Sequence, residues 1–160
     1  MHSFSILDIK SFTASLFTGE LFDRFLLSEA DFMTDVSLHL DGHINSSYYD
    51  DPSLITESHV TWGEKRPLFY SVIKGRHLPL SFKIVLCLSE KNLNSTLAAS
   101  GLNISEGAVD NFFMNISYKG GALTVTSGIS IKTFTMDKSL PEYWDGITEK
   151  FLKMNGFSYE

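Results

Sequence analysis

A single cysteine, Cys87, stands in a chain of 160 residues, so no internal disulfide can form and no cysteine cluster can hold a metal. Prolines number four and tryptophans two, which leaves long stretches free to form regular elements. Positive charge is scarce in the first 64 residues, where 11 Asp and Glu face only Lys10 and Arg24. That imbalance argues against non-specific attraction to nucleic acid by the whole surface. No apolar run is long enough to span a bilayer, and residues 1 to 17 lack the basic start and apolar block of a secretion signal, so a cytoplasmic location away from membranes is expected. There is no phosphate-binding loop, no dinucleotide glycine fingerprint, no zinc-binding His-Glu-x-x-His helix and no nucleophile elbow. With these signatures goes any ground for naming a cofactor, and none is expected.

What is present is a rich apolar complement, 43% hydrophobic with 13 phenylalanines, enough to give one domain over residues 1–160 a real core. The stretch Asn111 to Met136 reads as three short strands, Phe112–Tyr118, Ala122–Ser127 and Ile129–Met136, parted by Lys119-Gly120-Gly121 and by Gly128. Earlier, Phe4–Leu7 and Phe22–Thr34 are strand-like. Val36–Leu40 and His43–Asn45 predict a hairpin turning at Asp41-Gly42. Ser81–Leu88, apolar on both faces, predicts a central strand.

Helices are expected from Asp8 to about Thr18, from Pro67 to Lys74 and from Ser89 to near Gly101. A fourth covers 139–155, opened by a Ser139/Glu142 capping box and carrying the stripe Leu140, Trp144, Ile147, Phe151 and Met154. A shift of 81 positions superposes Asp8, Phe12 and Leu16 on Ser89, Leu93 and Leu97. The expected fold is therefore α+β: a mainly antiparallel sheet from two β-α-β-β-β halves, 1–45 and 80–136, with a helical insertion at 46–79 and a C-terminal helix. The two matched helices should lie side by side on one face. The last strand, Ile129–Met136, is expected at an edge, either pairing with a second copy or covered by the C-terminal helix.

Candidate chemistry is sparse. Lys65, Arg66, Lys74, Arg76, His77 and Lys83 form the one electropositive run and are candidates for an anion site, against the alternative of a solvated face. His39 and His43 bracket the predicted turn. A two-residue turn would send their rings to opposite faces, and only a three-residue loop would bring them together, so two solvated histidines are expected rather than a metal site. Glu29, Asp31 and Asp35 could serve as paired carboxylates or as an acidic outer face. Cys87, between Leu86 and Leu88, should be buried and inert.

The stretches IKGRHLPLSFKIVLCLS (Ile73–Ser89) and SGISIKTFTMDKSLPEYWD (Ser127–Asp145) resemble a small, uncharacterised family of Gram-positive anaerobes, a domain of unknown function. That likeness implies a stand-alone cytoplasmic bacterial protein and no particular activity. The doubled strand-helix-three-strand order resembles, in topology alone, one domain of the sliding clamps that encircle DNA. Clamp helices face DNA with rows of Lys and Arg, whereas the matched helices here offer Lys10 and Lys91. The expected role is a non-catalytic interaction or assembly module, through a protein partner or a second copy. Alternatives are a nucleic-acid accessory protein using residues 65 to 83, or a small enzyme drawing on His39, Asp41 and His43.

Overall fold

The computed structural model describes residues 1–160. Strand β1 (Ser3–Ser5) leads to helix α1 (Ile9–Phe17), then β2 (Leu26–Met33) and β3 (Ser37–Asp41). Two single 3-10 turns, Ser46–Tyr48 and Pro52–Leu54, precede α2 (Trp62–Ile73). The second half runs β4 (Ser81–Cys87), α3 (Glu90–Ala99), β5 (Val109–Lys119), β6 (Ala122–Ile131) and α4 (Ser139–Met154). All six strands form one antiparallel sheet in the order β1-β6-β5-β4-β2-β3.

The α+β class and the central place of Ser81–Cys87 are as expected, because a strand buried on both faces needs neighbours on both sides. The caps of the matched helices also hold. Asp8 Oδ1 accepts from the Ser11 amide at 3.0 Å, and Ser89 Oγ from the Asn92 amide at 3.3 Å, each satisfying an N-terminal donor that the helix cannot.

Both matched helices cover the same face of the sheet. Phe12, Leu16 and Phe17 of α1 join Trp62 and Phe69 of α2 in a core over Phe4, Ile84, Leu86, Ile116 and Val125. Leu93 and Leu97 of α3 rest on a smaller cluster of Leu88, Val109, Phe112, Leu140 and Trp144 that continues the same layer. They are not side by side, however: α1 packs against α2, and α3 faces α4 across a groove. Nor does the sheet repeat. Exchanging β1–β3 with β4–β6 would give β4-β3-β2-β1-β5-β6, a different order, and each half supplies three strands rather than four.

The lost strands have local causes. No turn forms at Asp41-Gly42; the β2–β3 hairpin closes at Thr34–Val36, where the Thr34 amide donates to the Val36 carbonyl at 2.8 Å. Gly42 instead lies against β2, donating to the Ser28 carbonyl at 2.9 Å, and a Cβ there would sit 1.7 Å from the Leu27 carbonyl oxygen. Its glycine answers a close backbone approach, not a turn. In the other half, Gly120 and Gly121, with φ of 59° and 78°, make the tight hairpin turn expected there. Gly128 does not break the chain, because β6 runs through it to Ile131, and the segment after it leaves the sheet. The expected meander is one long hairpin.

Two helix starts also differ. Helix α2 begins at Trp62, capped by Thr61, so Pro67 sits inside it rather than at its first turn. Pro67 cannot donate to the Gly63 carbonyl, one bond that capping and the burial of Trp62 and Phe69 outweigh. In α4, Ser139 is the first helical residue, and it is Asp137 that accepts from its amide at 2.9 Å and its hydroxyl at 2.7 Å, so the Ser139/Glu142 capping box does not form.

The stretch after Gly128 is shorter than expected, since β6 ends at Ile131, and Ile129–Ile131 has β5 on one side only, because β1 pairs with β6 along Thr124–Thr126. Helix α4 packs over β6. The outer side of β1 is taken by the C-terminal residues, with reciprocal bonds between Ser5 and Glu160 at 2.9 and 3.0 Å. At the opposite end, β3 is the last strand and nothing pairs with its outer side.

Candidate functional site

The basic residues are dispersed. Arg66 is held by a bidentate pair to Asp23, at 2.8 and 2.9 Å, in a partly buried position that joins α2 to the segment before β2. Lys65, its neighbour on α2, is half-buried. Lys83 projects from the uncovered face of the sheet, 3.8 Å from Glu29. Only Lys74, Arg76 and His77 come together, around an open depression of about 630 Å³ shared with Thr34 and Asp35.

The uncovered face carries polar residues, because alternation along each strand sends the apolar partners to the helices. Across it run Thr124, Ser117, Lys83, Asp31 and His39 in one register row, and Thr126, Asn115, Val85, Glu29 and Asp41 in the next. Glu29 and Asp31 thus share a face, while Asp35 lies in the hairpin turn, accepting from the Thr34 hydroxyl at 3.0 Å.

His39 and His43 each have their own carboxylate. His39 Nδ1 pairs with Asp31 Oδ1 across the strands at 2.6 Å, and His43 Nδ1 with Asp41 Oδ1 at 2.6 Å. The Asp31 hydrogen bond and charge hold the pKa of His39 above its ordinary value. Asp41 is held below the usual carboxylate value, first by the His43 amide and then by its ring. The His43 ring lies 4.1 Å from that of His59, whose pKa is lowered by burial and by His43. No three ligating side chains converge on one point.

Cys87 is buried, and burial pushes its thiol up to about 12. At neutral pH the thiolate that a nucleophile requires is absent.

An open, largely apolar groove lies between α3 and α4. Along α4, Tyr143, Ile147 and Phe151 form a half-buried row at spacing i, i+4, i+8. Facing them on α3 are Asn92, Ser95, Thr96 and Ala99, at i, i+3, i+4 and i+7. These side chains are too short to close the gap, and α3, alone among the four helices, has no fully buried residue. A groove of about 330 Å³ results, floored by Leu88, Met114, Trp144 and Thr148. Trp144 is satisfied, its Nε1 donating to the Phe113 carbonyl at 2.9 Å and its ring stacking on Phe112 at 4.8 Å. Thr148 is not: its hydroxyl is fully buried and has no hydrogen-bond partner.

With this geometry in place, a family of unknown function, DUF5721, matches residues 15–160. The chain belongs to that family. The match covers β2 to β6, the groove and all of α2, α3 and α4, in line with the resemblance read from Ile73–Ser89 and Ser127–Asp145. No curated protein and no solved structure matches the chain, and the strand order lacks the two-fold repeat on which the likeness to sliding clamps rests. No helix of this DUF5721 member is long and apolar enough to cross a membrane.

Sequence reasoning passed over Thr148 and the short side chains of α3. A signal existed for both. Thr148 continues the Trp144–Leu152 row at helical spacing, a polar residue in an apolar row, and a helix that offers Asn, Ser, Thr and Ala on one face has nothing with which to fill a core.

Proposed function

We propose that this protein is a non-catalytic assembly module, acting as one domain, that associates with a second copy through the outer edge of β3. The observation that carries this reading is the thin protection of that edge. Ser37–Asp41 is exposed save for half-buried Leu40, has no Lys, Arg or Pro and only one carboxylate, Asp41, at its end, and leaves outward backbone groups free to pair, where edge strands are ordinarily blocked by lysine, proline or several charges. The edge is also self-complementary. Antiparallel pairing about a two-fold at His39 sets Leu38 against Leu40 of the second copy twice, on the helix-covered side, and Ser37 against Asp41 twice. Leu38, 39% exposed in the single chain, would be covered in the pair.

Sedimentation equilibrium tests this directly. A mass twice that of the chain is expected, reverting to the single-chain mass in Leu38→Lys with the fold retained; a wild-type monomer at high micromolar concentration would sink the reading. The pH dependence has a definite sign. Two His39 rings meet at the two-fold, each beside Asp31, Glu29, Asp41 and Lys83, so the joined face holds six carboxylates against four cations when both rings are protonated and loses two of those cations as they deprotonate. Association therefore weakens as pH rises through the raised pKa of His39. Within one chain the His39–Asp31 pair runs in the same direction: its small contribution is present below the unfolded histidine pKa and is lost as pH rises through the folded value. Dilution separates assembly from stability, because only assembly depends on concentration.

The gathering of Lys74, Arg76 and His77 around one depression favours a second reading, an anion site serving a nucleic-acid accessory role. Of the wider basic run, Lys65, Arg66 and Lys83 would contribute at a distance only. Retention on DNA that falls with salt and is lost in Arg76→Glu is expected under this reading, and retention unchanged by the substitution would end it. A cytoplasmic location belongs to the proposal and suits the lone, unpaired Cys87.

A further inference from the structure

From the groove between α3 and α4 we infer a binding site for a small neutral amphiphile, an apolar chain or ring bearing one hydroxyl or carbonyl oxygen. It is independent of the β3 edge and reads a different part of the molecule.

Three observations fix the chemistry of the occupant. The row Tyr143, Ile147 and Phe151 presents apolar surface over eight residues of helix, about 12 Å by helical rise, so the guest is elongated and apolar along that length. No charged side chain lines the groove, so a carboxylate or ammonium group would be desolvated there without a partner. The Thr148 hydroxyl is fully buried and unpaired, a state that costs stability unless something supplies the missing bond. With α3 moved aside to uncover the hydroxyl, an oxygen on the guest supplies that bond by accepting from Thr148. The small faces of Ser95, Thr96 and Ala99 leave room for the body of the guest, and α3, fixed only through half-buried Leu93 and Leu97, can shift to admit it. A volume of about 330 Å³ lies at the lower end of small-molecule sites.

The test uses 1-octanol and octanoate as probes, followed by methyl NMR at Ile147 and Thr148. Saturable shifts with 1-octanol are expected, and binding of octanoate roughly tenfold or more weaker for want of a cation. Ala99→Trp, at an exposed helix position, fills the groove and abolishes the shifts while the rest of the spectrum is unchanged. Thr148→Val, which keeps the shape and removes the hydroxyl, raises the melting temperature of the free protein and weakens 1-octanol roughly three- to tenfold, the worth of one hydrogen bond. Absence of saturation, or 1-octanol binding unaltered by Ala99→Trp, overturns the site. Unaltered binding in Thr148→Val overturns the role of the hydroxyl, and octanoate binding as tightly as 1-octanol overturns the neutral class.

Discussion

Replacement of Trp144 by alanine is expected to lower the unfolding free energy by about 3–5 kcal/mol, the range for removing a large aromatic from a packed core. The indole is 3% exposed, stacks on Phe112 and donates to the Phe113 carbonyl, so the truncation leaves both a cavity and an unpaired acceptor. It also removes a principal anchor of α4 on the smaller of the two clusters, which holds only Leu88, Val109, Phe112, Leu140 and Trp144 as fully buried members. Thermal or urea unfolding measures the loss. Trp144→Phe, which keeps an aromatic ring over Phe112 and drops the donor, should lie between the two. A midpoint unchanged in Trp144→Ala would mean that α4 is not held to the sheet by this residue.

Gly42→Ala should be nearly as damaging, on the order of 3 kcal/mol, at a position where sequence alone suggests a tolerant surface turn. The added methyl meets the Leu27 carbonyl oxygen at 1.7 Å and the Leu27 carbonyl carbon at 2.7 Å, both backbone atoms of β2 that cannot rotate away. Relief requires the end of β3 to separate from β2, breaking the Gly42–Ser28 bond at 2.9 Å and loosening the Val60–Gly42 bond at 2.9 Å that ties the following segment to it. Gly120→Ala provides the comparison. Its φ is 59° but no atom lies within 4 Å of the added methyl, so only backbone strain opposes it, about 1–2 kcal/mol. Equal losses in urea titrations of the two variants would refute the close approach at Gly42.

The open groove bears on how such substitutions should be read together. Trp144 forms part of its floor beside Thr148, so a loss of 1-octanol binding in Trp144→Ala reflects both the missing wall and any loosening of α4. Ala99→Trp, on the opposite helix, separates the two.

The elements that could be read from the chain are those whose signals are local. Ser81–Leu88 is apolar but for Ser81 and Lys83, and such a run buries itself in the middle of a sheet whatever surrounds it. Asp8 and Ser89 sit one step before an apolar helical stripe, and their oxygens find the nearest free amides within their own turn. Gly120-Gly121 closes a hairpin because two successive positive φ angles suit a turn between twisted strands. The burial and inertness of Cys87 follow from its neighbours in the same way.

Where several residue types answer equally well to two causes, reading the chain goes astray. Asp41-Gly42 has the composition of a turn, but its glycine is there to let β3 touch β2, a contact between residues 15 positions apart in sequence. Ser139 has the spacing of a capping box, yet Asp137, two residues earlier, reaches the amide first. The basic run from Lys65 to Lys83 is continuous along the chain, but a helix, a loop and a strand carry its members to separate places, and Arg66 is already taken by Asp23. The pairing of His39 with Asp31 depends on the β2–β3 register, which the position of the hairpin turn decides.

By itself, then, the amino-acid sequence determined the α+β class, the central strand, the caps of α1 and α3 and the apolar stripe of α4, because each rests on interactions within a few residues or on periodicity along one element. Tertiary structure alone decided the strand order, the free edge at β3, the cover over β1 and the groove above Thr148. These depend on which elements meet. The closing of β1 by the C-terminal residues joins the two ends of the chain, and the groove exists only because a helix of short side chains lands beside one whose buried row contains a threonine.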